Sequence, residues 1–396
     1  MEIKDRYVRV GTTLYKIVRR PLLSGDFVEE RRVWNYETFR QDHSKDELAN
    51  IKKYDGFCSV PDHINYRQNI GNFLNLYEPV PFQPCDGECT TVLSFLCHIF
   101  EEQIEMGLDF IQLLYLQPMM RLPILLLVSN ERNTGKSTFL NFLKAIFAGN
   151  MTFNTNEDFR SQFNADWANK LIVAVDEVLL DRREDSERIK NLSTAMSYKA
   201  EAKGKDRSEI EFFAKFILCS NNEDCPVIIE QPETRYWVRK IRPLKKENNK
   251  MLSMLRAEMP QFLHFLMRRQ LSTQQKSRMW FRHDLLETEA LKRIRQYNRG
   301  RVETEMLQVI SDIMHLKELE QFSFCVGDIV AMLNNRSVKC EPSAVRQVLQ
   351  GRWNLSPSTN PIHSTTYCMD TNGEVAETYK TGRFYSITRS RLNDIL

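Results

Sequence analysis

Apolar and polar positions change rhythm along the chain, and the changes mark out its parts. In residues 1–90 short alternating runs, Tyr7-Val8-Arg9-Val10 and Leu14-Tyr15-Lys16-Ile17-Val18, predict strands. Turn signals such as Ser24-Gly25-Asp26 separate them. The stretch from Leu74 to Pro84 holds Pro79, Pro81 and Pro84 and predicts an extended connector. Residues 92–116 switch to helical spacing, with Leu93, Leu96, Cys97 and Ile99, then Phe110, Leu113 and Leu114. From Pro123 to Leu244 strand, loop and helix patterns alternate, which predicts an α/β core.

Two further textures follow. Residues 246–300 are helix-like and basic, carrying Arg268, Arg269, Lys276, Arg278, Arg282, Lys292, Arg293, Arg295 and Arg299. Residues 301–396 hold three helical patterns, Met306–Leu319, Val326–Leu333 and Pro342–Arg352. They are followed by Tyr379–Ile387, read as strands around a turn. Three helices and a hairpin predict a winged-helix-like domain, with Ser343, Arg346, Gln347 and Gln350 on one face of its recognition helix. Such a fold serves DNA binding or protein contact.

Composition narrows the class. The chain has 396 residues, 42% hydrophobic and 27% charged, enough to bury sizeable cores and too apolar to be disordered. A net charge of +3 (55 − 52) means that any basic surface is local. Nine scattered cysteines without a CxxC pair fit a reducing, cytoplasmic setting better than a disulfide framework. The first residues carry no leader-like apolar run, and Ile124–Val128 is far shorter than the roughly 20 residues of a membrane span. No membrane association is expected. Cys85, Cys89, Cys97 and His98 could bind zinc as residue types, but their spacing argues against it.

The chemistry concentrates in one stretch. The apolar run Ile124–Val128 leads into Ser129-Asn130-Glu131-Arg132-Asn133-Thr134-Gly135-Lys136-Ser137-Thr138, and an amphipathic helix with Phe139, Leu140, Leu143 and Phe147 follows. Strand, loop and helix are the context of a Walker A phosphate loop. Residues 130–138 would cradle the phosphates of ATP, Lys136 would reach the terminal ones, and Ser137 would ligate Mg2+. The first glycine of that pattern is replaced by Asn130, a residue that tolerates a left-handed backbone. Forty residues after Lys136 (176 − 136), the run Leu171–Val175 ends in Asp176-Glu177, a Walker B pattern. Asp176 would anchor the magnesium shell and Glu177 would activate water. Phe213–Asn222 predicts a further strand whose polar end offers Asn221 to orient that water, and Arg235 follows 14 residues later (235 − 221).

Together these residues resemble the superfamily-three helicases of viruses, phages and plasmids, in particular the phage and poxvirus-type primase–helicases. The resemblance runs over residues 65–245 and is carried by Gly135-Lys136-Ser137, Asp176-Glu177, Ser220-Asn221 and Arg235. It implies an arginine finger acting on a neighbouring subunit, for which Arg235 is the first choice and Arg239 the second. It also implies a DNA-contacting hairpin, matched by a glycine turn flanked by Lys203, Lys205 and Arg207. The fold class expected is α/β: a P-loop, AAA+-like ATPase core over 91–245, a mixed N-terminal region over 1–90, a basic helical segment over 246–300 and a winged-helix-like domain over 301–396.

The function this implies is an ATP-dependent DNA helicase, working as a ring, most simply a hexamer, on single-stranded or forked DNA of a phage or mobile element. Two other classes stay open at this stage: a P-loop ATPase switch in assembly or defence, and a winged-helix DNA-binding regulator. The intact Lys136, Asp176 and Glu177 weigh against the last.

Overall fold

A computed structural model describes residues 6–21, 27–161, 164, 166–180, 182–200, 208–230, 233–371 and 373–395. Its first part is a mixed sheet covered by two short helices. The strands β1 (Arg6–Val10), β2 (Thr13–Pro21) and β3 (Phe27–Trp34) form a meander, and β1 pairs in parallel with β4 (Lys52–Tyr54). Helix α1 (Tyr36–Asp42) starts at the side chain of Asn35, and α2 (Lys45–Ala49) starts at a Ser44/Glu47 capping box. Leu14, Phe39 and Ile51 are buried beneath them. Three short strands, β5 (Gly56–Cys58), β6 (Asn69–Ile70) and β7 (Phe73–Asn75), lead out of this module.

The connector then enters the central core, where Tyr77 is fully buried. The expected helix over 92–116 is two helices, α3 (Thr90–Phe100) and α4 (Ile104–Leu116). They break at Glu101, whose φ is 43°. Gly107 lets α4 pack there, since a Cβ at that position would come within 2.3 Å of the Phe100 ring.

The central sheet is parallel throughout. Its strands are β8 (Ile124–Val128), β9 (Met151–Phe153), β10 (Ile172–Val175), β13 (Lys215–Ser220) and β14 (Tyr236–Lys240), in the order β14-β8-β13-β10-β9. Helices α5 (Lys136–Phe147), α6 (Asn156–Arg160) and α7 (Arg183–Thr194) lie between them in sequence, as does an antiparallel pair, β11 (Ser197–Ala200) with β12 (Ser208–Glu211). β8 reads as an unbroken apolar run because both its faces are covered. Leu125 and Leu127 join one core with α3, α4 and α5, while Ile124, Leu126 and Val128 join the other with Phe159 and Trp167.

The basic segment is not one helical stretch. It comprises α8 (Met251–Ala257), α9 (Met259–Arg268), α10 (His283–Leu286) and α11 (Glu289–Tyr297), with an irregular run between α9 and α10. Several of its cations are consumed internally. Arg269 pairs with Asp109 and Glu105, Arg295 with Glu287, Arg293 with Glu223 and Asp224, and Arg282 with Asp284. Trp280 and Phe281 are buried and pack against the core.

Residues from α12 (Arg301–Leu316) onward have a core of their own around Ile310, Phe322, Leu333 and Trp353. The elements are β15 (Gln321–Phe324), α13 (Val326–Asn335), α14 (Pro342–Arg346), β16 (Ile362–Met369), β17 (Val375–Gly382), β18 (Tyr385–Thr388) and α15 (Arg389–Ile395). Two expectations change here. The hairpin is β16–β17, with Tyr379 inside β17, whereas β18 pairs with β15. The helix over Pro342–Arg352 is α-helical only to Arg346 and continues as a π-helical turn, Gln347–Arg352.

Candidate functional site

In a parallel sheet all strands end on the same edge, so loops after neighbouring strands meet there. Here β8, β10 and β13 are adjacent, and Ser129, Asp176 and Asn221 each follow the last residue of their strand. The pairing Ser220↔Val128 and the bond from Ser129 N–H to the Ser220 carbonyl (3.2 Å) hold two of these exits level. This is how residues separated by up to 92 positions (221 − 129) come to share one edge.

The loop after β8 runs into the N-terminus of α5, whose first N–H groups have no intrahelical partner. Lys136, the first residue of that helix, is buried and donates to the Ser129 carbonyl at 3.2 Å. Burial lowers its pKa below the ordinary lysine value, and the charges of Asp176 and Glu223 work against that. Gly135 has φ 88°, a left-handed conformation that favours glycine, and a Cβ there would also press on the Phe95 ring at 3.2 Å. Thr134 is buried, with its carbonyl 3.0 Å from His98 Nε2 of α3. Glu131, Arg132, Asn133 and Ser137 are exposed and Thr138 is half-buried.

Asn130 takes the place of the expected glycine by a different device from the one anticipated. The left-handed non-glycine residue of the loop is Asn133 (φ 54°), and Asn130 is not in that region. Instead the Asn130 N–H donates to Glu223 Oε1 (2.9 Å), and the Glu223 N–H donates to Asn130 Oδ1 (3.0 Å). Glu223 is buried; desolvation tends to raise its pKa, but Lys240, the Asn130 N–H and Arg293 bring it below the ordinary value. This clamp ties the start of the loop to the turn after β13. Sequence reading missed Glu223, and the one available signal was its place directly after Ser220-Asn221-Asn222.

The acidic pair faces the loop. Ser137 Oγ donates to Asp176 Oδ2 at 2.7 Å, and Asn221 Nδ2 donates to Glu177 Oε1 at 3.3 Å. Asp176, Glu177 and Asn221 are all exposed. Glu177 has φ 63°, a strained conformation for a non-glycine residue. It is fixed from both sides: Asn156 Nδ2 donates to the Glu177 carbonyl (3.4 Å), and Asn156 Oδ1 accepts from Leu179 N–H (3.1 Å). Ser220 Oγ donates to the Val178 carbonyl at 2.9 Å, which locks the two strand ends together.

Arg235 is not brought to this edge. It precedes β14 at the level of Ile124, the opposite end of β8, roughly 13 Å of strand away at about 3.3 Å per residue. Its guanidinium is partly exposed and pairs with Glu233 at 3.0 Å. Arg239, the second choice for a finger, is buried, with Glu102 and Gln103 as partners. Within this chain Arg239 is enclosed and its charge is engaged by Glu102. Lys203, Lys205 and Arg207 lie outside the described residues, between β11 and β12.

Comparison with known proteins places this architecture. A family model described as a family of unknown function, DUF5906, matches residues 127–239, the stretch from β8 to β14. The DNA primase-polymerase of Nitratiruptor phage NrS-1 is 30% identical over 186 residues, covering 44% of this chain and 26% of that protein. The chain therefore spans about a quarter of that relative's length. An apo structure of the NrS-1 C-terminal region superposes with a TM-score of 0.62 at 16% identity, covering 96% of both chains. A second apo form gives 0.57 at 16% identity, over 89% of this chain and 85% of that one. The chain has the fold of the NrS-1 C-terminal region. It is a mixed α/β protein built on a parallel sheet and similar to a phage replication protein. Among the described residues no helix is long and apolar enough to cross a membrane.

Proposed function

We propose that the chain is an ATP-driven DNA motor of phage replication, a helicase of the superfamily-three type that works as a ring. The observation that carries this is the convergence of Lys136, Ser137, Asp176, Glu177 and Asn221 on one edge of a parallel sheet. Three adjacent strands deliver them. The exposed loop residues Glu131, Arg132 and Asn133 and the α5 N-terminus suit phosphates, and Lys136 supplies a cation with no carboxylate bonded to it. Ser137 and Asp176 offer the paired oxygens that magnesium favours and would hold the ion, which neutralises phosphate charge when bound. Glu177, held in a strained turn and bonded to the Asn221 amide, is placed to take a proton from water that Asn221 orients.

Arg235 lies at the opposite end of β8 from its own Lys136, as a residue serving the neighbour's nucleotide would. A ring, a hexamer in the resembling family, gives it that neighbour. The strands β11 and β12 carry the segment with Lys203, Lys205 and Arg207 to DNA, and residues 301–396 act as a winged-helix-like module. A relative that is a phage DNA primase-polymerase supports DNA as the ligand and the host cytoplasm as the place of work.

ATP turnover with and without single-stranded DNA, beside strand displacement on a forked duplex, tests this. Lys136→Ala is expected to lose on the order of 10²–10³-fold or more in turnover, while Glu177→Gln keeps ATP binding. Lys136→Ala turnover within about threefold of the native protein (roughly 0.6 kcal/mol) would remove the nucleotide site. Turnover that neither responds to DNA nor separates strands would make the protein an ATPase switch instead.

A further inference from the structure

The N-terminal module contains a concavity that the nucleotide site does not use. We propose that it binds the phosphates of a single DNA strand, which rests on DNA being the ligand of the motor. The concavity, of about 660 Å³, lies between the four-stranded sheet and helices α1 and α2. Arg9 of β1, Arg40 of α1, Lys45 of α2 and Lys53 of β4 line it, and no carboxylate does. Among the described residues none of these four has an ion-pair partner. Tyr36, half-buried on the same wall, adds an aromatic surface of the kind on which bases stack.

Three of the four cations are placed against local stability, whereas Arg40, in the last turn of α1, is favourably placed. Arg9 and Lys53 are direct partners on adjacent parallel strands, where like charges repel. Arg9 Nε is buried without a hydrogen-bond partner. Lys45 opens α2, the end of a helix at which a cation is disfavoured. Elsewhere in this chain arginines in similar surroundings are paired, Arg269 with Asp109 and Arg352 with Glu303 among them. Unpaired cations gathered around a cavity in a chain of net charge +3 point to a polyanion as the missing partner. Four converging charges and an aromatic wall match a strand that presents a phosphate at every nucleotide.

The test is equilibrium binding of a fluorescein-labelled oligothymidylate to the full chain, without nucleotide, followed by anisotropy across a salt series. Each phosphate contact contributes about 0.7 to the slope of log affinity against log salt for a single strand. The triple variant Arg40→Ala/Lys45→Ala/Lys53→Ala should lower the slope by roughly 1.4 to 2.1, and Arg40→Ala alone by about 0.7. Basal ATP turnover, which does not involve these residues, should be unchanged and reports that the triple variant is folded. A control triple of exposed lysines elsewhere, Lys276→Ala/Lys317→Ala/Lys339→Ala, should leave the slope in place. An unchanged slope in the first triple, or an equal fall in both, overturns the proposal and leaves the motor standing. So does fluorescent-ATP binding that survives Lys136→Ala and is lost when the Arg40/Lys45/Lys53 triple is added to it with the DNA slope intact, which would make the concavity a free-nucleotide site. If the native chain binds no DNA at all, the proposal and the DNA half of the motor fall together, while the ATP turnover result stands.

Discussion

The two edges of the central sheet are built from the same kind of strands and hold their polar residues in opposite ways. At the edge where the strands end, Asp176, Glu177, Asn221 and Ser137 are exposed and bonded chiefly to one another. At the edge where they begin, charge is enclosed. Lys215 is buried and donates to the carbonyls of Phe213 (2.8 Å) and Pro118. Glu233 is buried and shared by Arg235 and Lys190. Enclosed and partnered groups hold a structure together. Exposed groups that converge with few other partners are free to exchange those partners for a ligand. Arg235 is the exception at the enclosed edge, since its guanidinium remains partly open to solvent.

That exception yields the largest expected effect. If Arg235 completes the neighbour's site, Arg235→Ala should lose about 10³–10⁵-fold in turnover while still binding ATP through Lys136. Mixing it with Lys136→Ala protein should restore part of the activity, because some interfaces then combine an intact loop with an intact arginine. Subunit exchange without any rescue would return Arg235 to the enclosed set, as a partner of Glu233 only.

Lys215 sharpens the contrast through pH. Burial brings its pKa down from 10.5 to about 7. Between those values the unfolded chain keeps a proton that the folded lysine has released, so stability rises with pH, by up to about 1.4 kcal/mol per pH unit. Below pH 7 both states are protonated and this group contributes no slope. Comparing urea midpoints of the native protein and Lys215→Met at pH 6.5, 8 and 9 cancels the buried thiols and phenols, which titrate in both. Parallel curves would show that Lys215 is not held in its neutral form.

The smallest effect concerns Asn130 at the exposed edge. Asn130→Gly restores the usual phosphate-loop spacing but removes the bond from Glu223 N–H to Asn130 Oδ1. It should cost about 1 kcal/mol in stability and raise the KM for ATP several-fold. A glycine variant that binds ATP more tightly would mean that the clamp restrains the loop rather than supports it.

The central site was legible in the chain because its signals are local. A fully apolar run ending in a polar loop marks a buried strand and its exit, so β8, β10 and β13 and the residues after each could be placed without knowing what packs on them. Gly135-Lys136-Ser137 and Asp176-Glu177 gain meaning from that position alone. The partner of a side chain carries no such local mark. Nothing in the spacing said that Asn130 would clasp Glu223, that Arg239 would be enclosed by Glu102 while Arg235 stayed open, or that Arg269 and Arg295 would spend their charge internally. The break between α3 and α4 and the pairing of β18 with β15 are likewise set by what each element meets across the core. The gathering of Arg9, Arg40, Lys45 and Lys53 around one concavity came from strand register and the seating of two short helices. Periodicity places an element and its exposed or buried face, whereas contacts between residues far apart in sequence depend on how the elements pack, and only the folded chain decides that.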